Sequence, residues 1–262
     1  MKERLDVILV EQGYAPSREK AKAIIMSGNV YVNGQKEDKA GTTFDLSRPF
    51  ALEVRGNTLP YVSRGGLKLE KAMQVWDFSL EGRICMDIGA STGGFTDCLL
   101  QNGAAHVWAI DVGHDQLDPR LRADPRVLSL EGVNARSVTR ETLGGAVPDL
   151  VTADLSFISL KTVYPVIAGL LDERGRCVTL IKPQFEAGRA SVGKNGLVRD
   201  RRAHERVLRE LDAAARAAGL YLHGICVSPI RGGEGNVEYL ALYGKTAGPA
   251  EWDWAAVVGT GR

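Results

Sequence analysis

The sequence predicts an α/β protein, a doubly wound and mostly parallel sheet preceded by a small α+β unit. Three observations carry this. From Arg83 onward, short apolar runs at 84–88, 106–110, 127–130, 149–153, 176–181, 221–228 and 237–243 alternate with helix-compatible stretches near 94–102, 115–122, 159–171 and 199–218. Such alternation builds a parallel sheet covered by helices. The last two runs are joined only by the loop Pro229–Asn236, too short for a helix, so they should pair antiparallel. The first 58 residues follow another pattern, two short amphipathic helices and a hairpin.

In that first unit, Arg4–Gln12 places Leu5, Ile8 and Leu9 on one face and stops at Gly13. Ser17 can cap a second helix, Arg18–Ser27, which buries Ala21, Ile24 and Ile25 and stops at Gly28. Val30-Tyr31-Val32 alternates as a strand, and Asn33-Gly34 is a strong signal for a tight hairpin turn. Residues 59–63, with Pro60 fixing the backbone, read as a linker to a second unit at 64–262. That unit opens with a helix from about Gly65, capped by Ser63, with Leu67, Ala72, Val75 and Trp76 on its apolar side. Lys68 falls in its first turn, where a cation opposes the helix dipole, a placement that asks for a functional reason.

The rest is organised around Ile84–Phe95, ICMDIGASTGGF: an apolar run holding Asp87, then a turn through Gly89, Gly93 and Gly94 into a helix. In open α/β sheets that junction is a ligand site. The spacing D-x-G-x-x-x-G-G differs from the G-x-G-x-x-G of a pyrophosphate-binding turn, so a nucleoside ligand without a diphosphate fits better. Asp111 ends the second strand, 22 residues after Gly89, where a carboxylate can accept both ribose hydroxyls of a nucleoside. Asn134 follows the third strand, Asp154 ends the fourth (TADLSF), and Lys182 ends the fifth (LIKPQF) in a partly desolvated setting.

Composition excludes other classes. The chain has 262 residues, 44% hydrophobic and 25% charged, as in a soluble globular protein. Its four cysteines (Cys85, Cys98, Cys177, Cys226) are scattered, so neither a disulfide framework nor a zinc site is expected, and no other metal is suggested. No signal peptide or spanning run is apparent, and a cytoplasmic monomer that avoids membranes is expected. Net charge is only +1, but 182–206 carries seven Lys/Arg against three acids, a local +4 suited to an anionic partner.

The pattern S-R-x-x-A-x-x-x-I-x-x-G-x-V-x-V-N-G from Ser17 to Gly34 resembles the RNA-binding module of ribosomal protein S-four and pseudouridine synthases. The resemblance implies RNA contacts from Arg4, Arg18, Lys20, Lys22 and Lys36. With nine basic against eight acidic residues in 1–59, the RNA face should be a stripe, modest in affinity and salt-sensitive. The expected sheet is similar to that of class I S-adenosylmethionine-dependent methyltransferases. Lys68 in SRGGLK, Asp154, Lys182 in IKP and Glu238 in NVEY resemble the Lys-Asp-Lys-Glu tetrad of FtsJ-type ribose 2′-O-methyltransferases. Together with GRASVGKNGLVRD from Gly188 to Asp200, nearly the whole chain resembles the TlyA family of rRNA 2′-O-methyltransferases, also known as haemolysin-like.

The resemblance implies an enzyme that uses S-adenosylmethionine to methylate ribosomal RNA on ribose, with cytidine in the small or large subunit as the first expectation. Lys182 would be the base, Lys68 a neighbouring cation favouring its neutral amine, Asp154 the positioning charge opposing that effect, and Glu238 the group holding Lys68. The donor would be bound by Gly89, Ser91, Gly93, Gly94, Phe95, Asp111, Val112, Asn134 and Asp154, and by Asp87 through a neighbouring group or water. RNA would also meet Arg64, Arg189, Lys194 and Arg199. A catalytically silent assembly factor should have lost part of the tetrad or the glycine turn, and all are present. A membrane-active haemolysin has no spanning segment or strongly amphipathic cationic helix to support it, and the glycine spacing disfavours a dinucleotide oxidoreductase.

Overall fold

The computed structural model describes residues 2–15, 17–47, 50–56, 59–232 and 235–261; the expected boundary at residue 58 and part of the 229–236 loop lie outside them. The first elements are β1 (Lys2–Arg4), α1 (Leu5–Glu11), α2 (Arg18–Met26), β2 (Val30–Val32), β3 (Gln35–Glu37), β4 (Thr43–Asp45) and β5 (Leu52–Val54). Both expected helices and the Asn33-Gly34 hairpin form. Ser17 caps α2 by accepting from the Lys20 N–H, and Gly13 and Gly28 end their helices at φ +72° and +74°. Beyond the expected hairpin, β5 pairs antiparallel with β2, and β1 pairs with β4. Leu5, Leu9, Ala21, Ile25, Val30 and Val32 close a separate small core.

The remaining elements are α3 (Gly65–Trp76), β6 (Ile84–Ile88), α4 (Gly94–Gln101), β7 (His106–Asp111), α5 (Pro119–Arg122), β8 (Val127–Glu131), β9 (Leu150–Ala153), α6 (Tyr164–Leu170), β10 (Arg176–Ile181), α7 (Pro183–Glu186), α8 (Arg201–Ala217), β11 (Tyr221–Val227), β12 (Tyr239–Gly244) and α9 (Trp254–Gly259). Seven strands form one sheet in the order β11-β12-β10-β9-β6-β7-β8. β8, β7, β6, β9 and β10 run parallel, while β12 inserts antiparallel between β10 and β11. One face is covered by α3 and α4 through Leu69, Ala72, Phe95 and Leu99. The other is covered by α6, α8 and α9 through Ile167, Val207, Leu211 and Trp254. The central strands are buried on both faces, which is why they read as unbroken apolar runs.

Three expected elements differ. Helix 159–171 divides into a 3-10 turn, Leu160–Thr162, and α6, because Pro165 lacks an N–H and fits only at a helix start. Helix 115–122 shortens to α5, which starts at Pro119 behind an Asp118 cap. Ser63 does not cap α3; Arg64 occupies the cap position without a side-chain bond, and Val75 is exposed while Leu69 is buried in its stead. Among the described residues no helix is long and apolar enough to cross a membrane.

Candidate active site

Parallel pairing brings the ends of β6, β7, β9 and β10 to one edge of the sheet, so Gly89, Asp111, Asp154 and Lys182 all lie along it. β12 runs the other way, and its register, Ile181 opposite Tyr239, sets Glu238 beside Lys182. α3 crosses this edge and contributes Lys68. A cavity of about 330 Å³ opens there, lined by the four tetrad side chains and the glycine turn.

The four groups form one chain of contacts. Lys68 Nζ donates to Glu238 Oε2 at 2.9 Å and lies 3.6 Å from Asp154 Oδ2. Lys182 Nζ lies 2.5 Å from Asp154 Oδ1, so the carboxylate is shared by two ammonium groups. All four side chains are less than one-fifth exposed. Burial alone would raise the Asp154 carboxyl, but the charges of Lys68 and Lys182 outweigh it and hold it below its ordinary value. Burial likewise works against the Lys68 ammonium, yet Asp154 and Glu238 together keep it above the usual lysine value. The reason for a cation in the first turn of α3 is thus a pair of buried carboxylates.

The glycine turn is built for close backbone approach. Gly89 has φ +81°, and a Cβ there would lie 2.5 Å from the carbonyl oxygen of Asp154. A Cβ on Gly94 would stand 2.9 Å from the backbone nitrogen of Gly66. Gly89→Ala should therefore push β6 away from Asp154 and cost about 1–3 kcal/mol. Thermal unfolding temperature and turnover should both fall; a fully active, equally stable variant would show that the approach is not needed.

The expected ligand residues divide. Gly89, Ser91, Gly94 and Phe95 line the cavity, and Gly93, at φ +95°, starts α4 behind it. Asp111 lies outside the cavity at the next strand end, accepting from the Ser91 and Gly113 N–H groups at 2.8 and 2.7 Å. Val112 beside it is 69% exposed. Asn134 is drawn into local structure, its Oδ1 accepting from the Arg136 backbone and guanidinium, so only its Nδ2 is left for a ligand. Asp87 is fully buried beneath the turn and does not line the cavity. Its oxygens accept from Thr96 Oγ1 at 2.7 Å and Thr152 Oγ1 at 2.8 Å, and burial pushes its carboxyl up to about 6. Any influence of Asp87 on a ligand must pass through α4 and β9.

Of the expected RNA residues, Lys20, Lys22 and Lys36 are exposed. Arg4 and Arg18 both clasp the buried Asp6, which leaves their side chains about half exposed. Arg189, Lys194 and Arg199 are exposed on the segment before α8. Buried Asn236 holds that segment, accepting from the Val198 N–H and donating to the Gly196 carbonyl two residues from Glu238. Arg64 lines the cavity mouth, donates to the Gln12 carbonyl and faces the Tyr14 ring, so the end of α1 approaches the same mouth.

Four participants escaped sequence reasoning, though two lie in the stretch TADLSF and two in LIKPQF. Gln184 Nε2 donates to Glu238 Oε1 at 3.0 Å and so fixes the glutamate from its other side. Ser156 Oγ accepts from Lys182 Nζ at 3.0 Å. Phe157 is 90% exposed in the left-handed region, φ +64°, and packs on Phe185 with ring centres 4.8 Å apart. A left-handed backbone is costly for so bulky a residue, so the surrounding structure must hold Phe157 there.

Residues 61–245 match the FtsJ-like methyltransferase family, and residues 3–47 match the S4 domain. The chain is 44% identical over 236 residues to the 16S/23S rRNA (cytidine-2′-O)-methyltransferase TlyA of Mycobacterium tuberculosis, covering 90% of this chain and 87% of that one. A solved structure described as a hemolysin from Streptococcus thermophilus superposes with a TM-score of 0.78 at 45% identity, covering 99% of this chain and 95% of that one. A methyltransferase structure from Listeria monocytogenes, 14% identical with a TM-score of 0.53, covers 70% of this chain and all of that one; it shares the fold.

Proposed function

We propose a reaction from family and geometry together: the chain belongs to the FtsJ-like methyltransferases, and its site best supports S-adenosylmethionine-dependent methylation of a ribose 2′-hydroxyl in ribosomal RNA, with cytidine as the nucleoside. The observation that carries this reading is the chain Glu238–Lys68–Asp154–Lys182 laid beside the glycine turn. On this reading residues 1–58 bind RNA, 59–63 link, and 64–262 carry the chemistry.

The residues fit the methyl donor. The close-approach turn at Gly89, Ser91, Gly93, Gly94 and Phe95 suits its methionine part, and the Asp111 carboxylate, steadied by two amides, can accept ribose hydroxyls beside the apolar Val112. The Asp154 and Glu238 carboxylates beside the cavity favour a cationic ligand. When bound, S-adenosylmethionine supplies an electrophilic methyl group on a sulfonium, whose sulfur keeps the electron pair as the carbon–sulfur bond breaks. Lys182 then takes the 2′-hydroxyl proton as that oxygen bonds to the methyl carbon. The resulting ammonium rests against Asp154 until water removes the proton. Lys68, fixed by Glu238, holds Asp154 in place for both tasks. Phe157, exposed next to the cavity-lining Ser156, offers a flat apolar face for an unstacked base.

RNA is met by the exposed lysines of the first unit and by Arg189, Lys194, Arg199 and Arg64. Replacing Lys20, Lys22 and Lys36 together by alanine should weaken RNA binding. The slope of log K against log salt should become shallower by about 0.7–0.9 for each phosphate no longer neutralised. S-adenosylmethionine affinity should stay constant; an unchanged RNA dissociation constant would remove the first unit from the RNA face. The reaction is tested by transfer of labelled methyl from S-adenosylmethionine to intact small and large ribosomal subunits. Label in neither subunit, under conditions where both substrates bind, would favour the silent assembly factor.

A further inference from the structure

We propose that Ser156 is a positioning residue for this reaction: its hydroxyl sets the rotation of the Lys182 amine and so aims the one direction of that amine which neither Asp154 nor Ser156 occupies. The proposal rests on the reading of Lys182 as the base.

Two polar neighbours hold Lys182 Nζ, and they hold it differently, while the Phe185 ring centre stands farther off at 5.8 Å. Asp154 Oδ1 is close, at 2.5 Å, but the contact lacks hydrogen-bond alignment, and that oxygen has no hydrogen-bonded partner among the described residues. Charge attraction depends on distance and is nearly indifferent to angle. The contact with Ser156 Oγ, at 3.0 Å, is a hydrogen bond, whose strength falls steeply with misalignment. A neutral amine nitrogen carries Cε, two hydrogens and one lone pair in tetrahedral array. Rotation about Cε–Nζ alone decides where the lone pair points. The carboxylate fixes how far the amine reaches, and the serine fixes how it is turned.

Ser156 is itself held in register with the lysine. Lys182 stands immediately before α7, and Glu186 ends that turn. Glu186 accepts from Ser159 Oγ at 2.6 Å and from the Leu160 N–H at 2.8 Å, and Phe185 packs on Phe157. The loop carrying Ser156 is therefore fastened to the far end of the same short turn that carries Lys182, closing a ring through the hydrogen bond. Both residues line the cavity. The hydroxyl makes no other hydrogen bond among the described residues, so it is free to accept from the amine.

Ser156 is exposed, so its replacement tests the amine with little effect on folding. Ser156→Ala should lower single-turnover methyl transfer about 10- to 100-fold, the range expected for misaiming a reacting group, with RNA and S-adenosylmethionine dissociation constants within about twofold of wild type. Ser156→Thr keeps the hydroxyl and should recover most of the rate. In a Lys182→Ala background, Ser156→Ala should cost nothing further, because the serine acts through the lysine. A wild-type rate for Ser156→Ala, or a loss confined to RNA affinity, overturns the proposal. If Lys182→Ala is inactive while Ser156→Ala is fully active, only the serine's role fails. If Lys182→Ala itself turns over normally, the reading of the base fails first.

Discussion

Lys182→Ala is expected to lose about 10²- to 10⁴-fold in methyl transfer, the range over which a positioned base contributes, while both substrates bind within about threefold of wild type. The Lys182 side chain is only 12% exposed and lines the cavity, so its removal should spare most ground-state binding. Lys182→Arg separates base from charge. A guanidinium keeps the ion pair with Asp154 but is not deprotonated in proteins. An arginine variant as slow as alanine supports proton removal. One that recovers wild-type rate would reduce Lys182 to an electrostatic partner.

Asp154→Asn should be nearly as slow and should also destabilise the fold. Asparagine preserves shape but removes the charge shared by two ammonium groups at 2.5 and 3.6 Å. Lys68 keeps Glu238, whereas Lys182 loses its counter-charge and retains only Ser156. Leaving a largely buried charge uncompensated costs on the order of 3 kcal/mol. Denaturant titration at neutral pH should show that loss. The deficit should shrink as pH falls through the native Asp154 value, because a carboxyl held below its ordinary value contributes stability that is present above the unfolded value and lost with acid. If the tetrad works as a unit, combining Asp154→Asn with Lys182→Ala should be no slower than the slower single variant. Strict additivity of the two losses would contradict a shared step.

Much of the sheet could be read beforehand because its strands are buried on both faces, and a run such as Cys177–Ile181 has one physical explanation. The antiparallel ending followed from a loop too short to hold a helix. Strands β1, β4 and β5 escaped because three-residue strands exist only through partners far off in sequence, as when Lys2 pairs with Asp45. Lys68, Asp154 and Lys182 stood out because each starts α3 or lies at a strand end, Glu238 and the grouping of the four came from the family resemblance, and their contacts depend on register. For Asp87 the sequence suggests contact with the donor's ammonium through a neighbouring group or water; its immediate partners, Thr96 and Thr152, could not be named from an apolar strand alone. Ser156 and Phe157 were invisible because their contacts arise where the loop after β9 meets Lys182 and Phe185, segments 26 to 28 residues apart, and Gln184 because its partner Glu238 lies 54 residues on.

The most direct test of the chemistry is mass spectrometry of nucleosides released from subunits after reaction with labelled S-adenosylmethionine. Label should appear on 2′-O-methylcytidine and form at least about 100-fold more slowly with Lys182→Ala. Label on a base, or on ribose regardless of Lys182, would contradict ribose methylation by this tetrad.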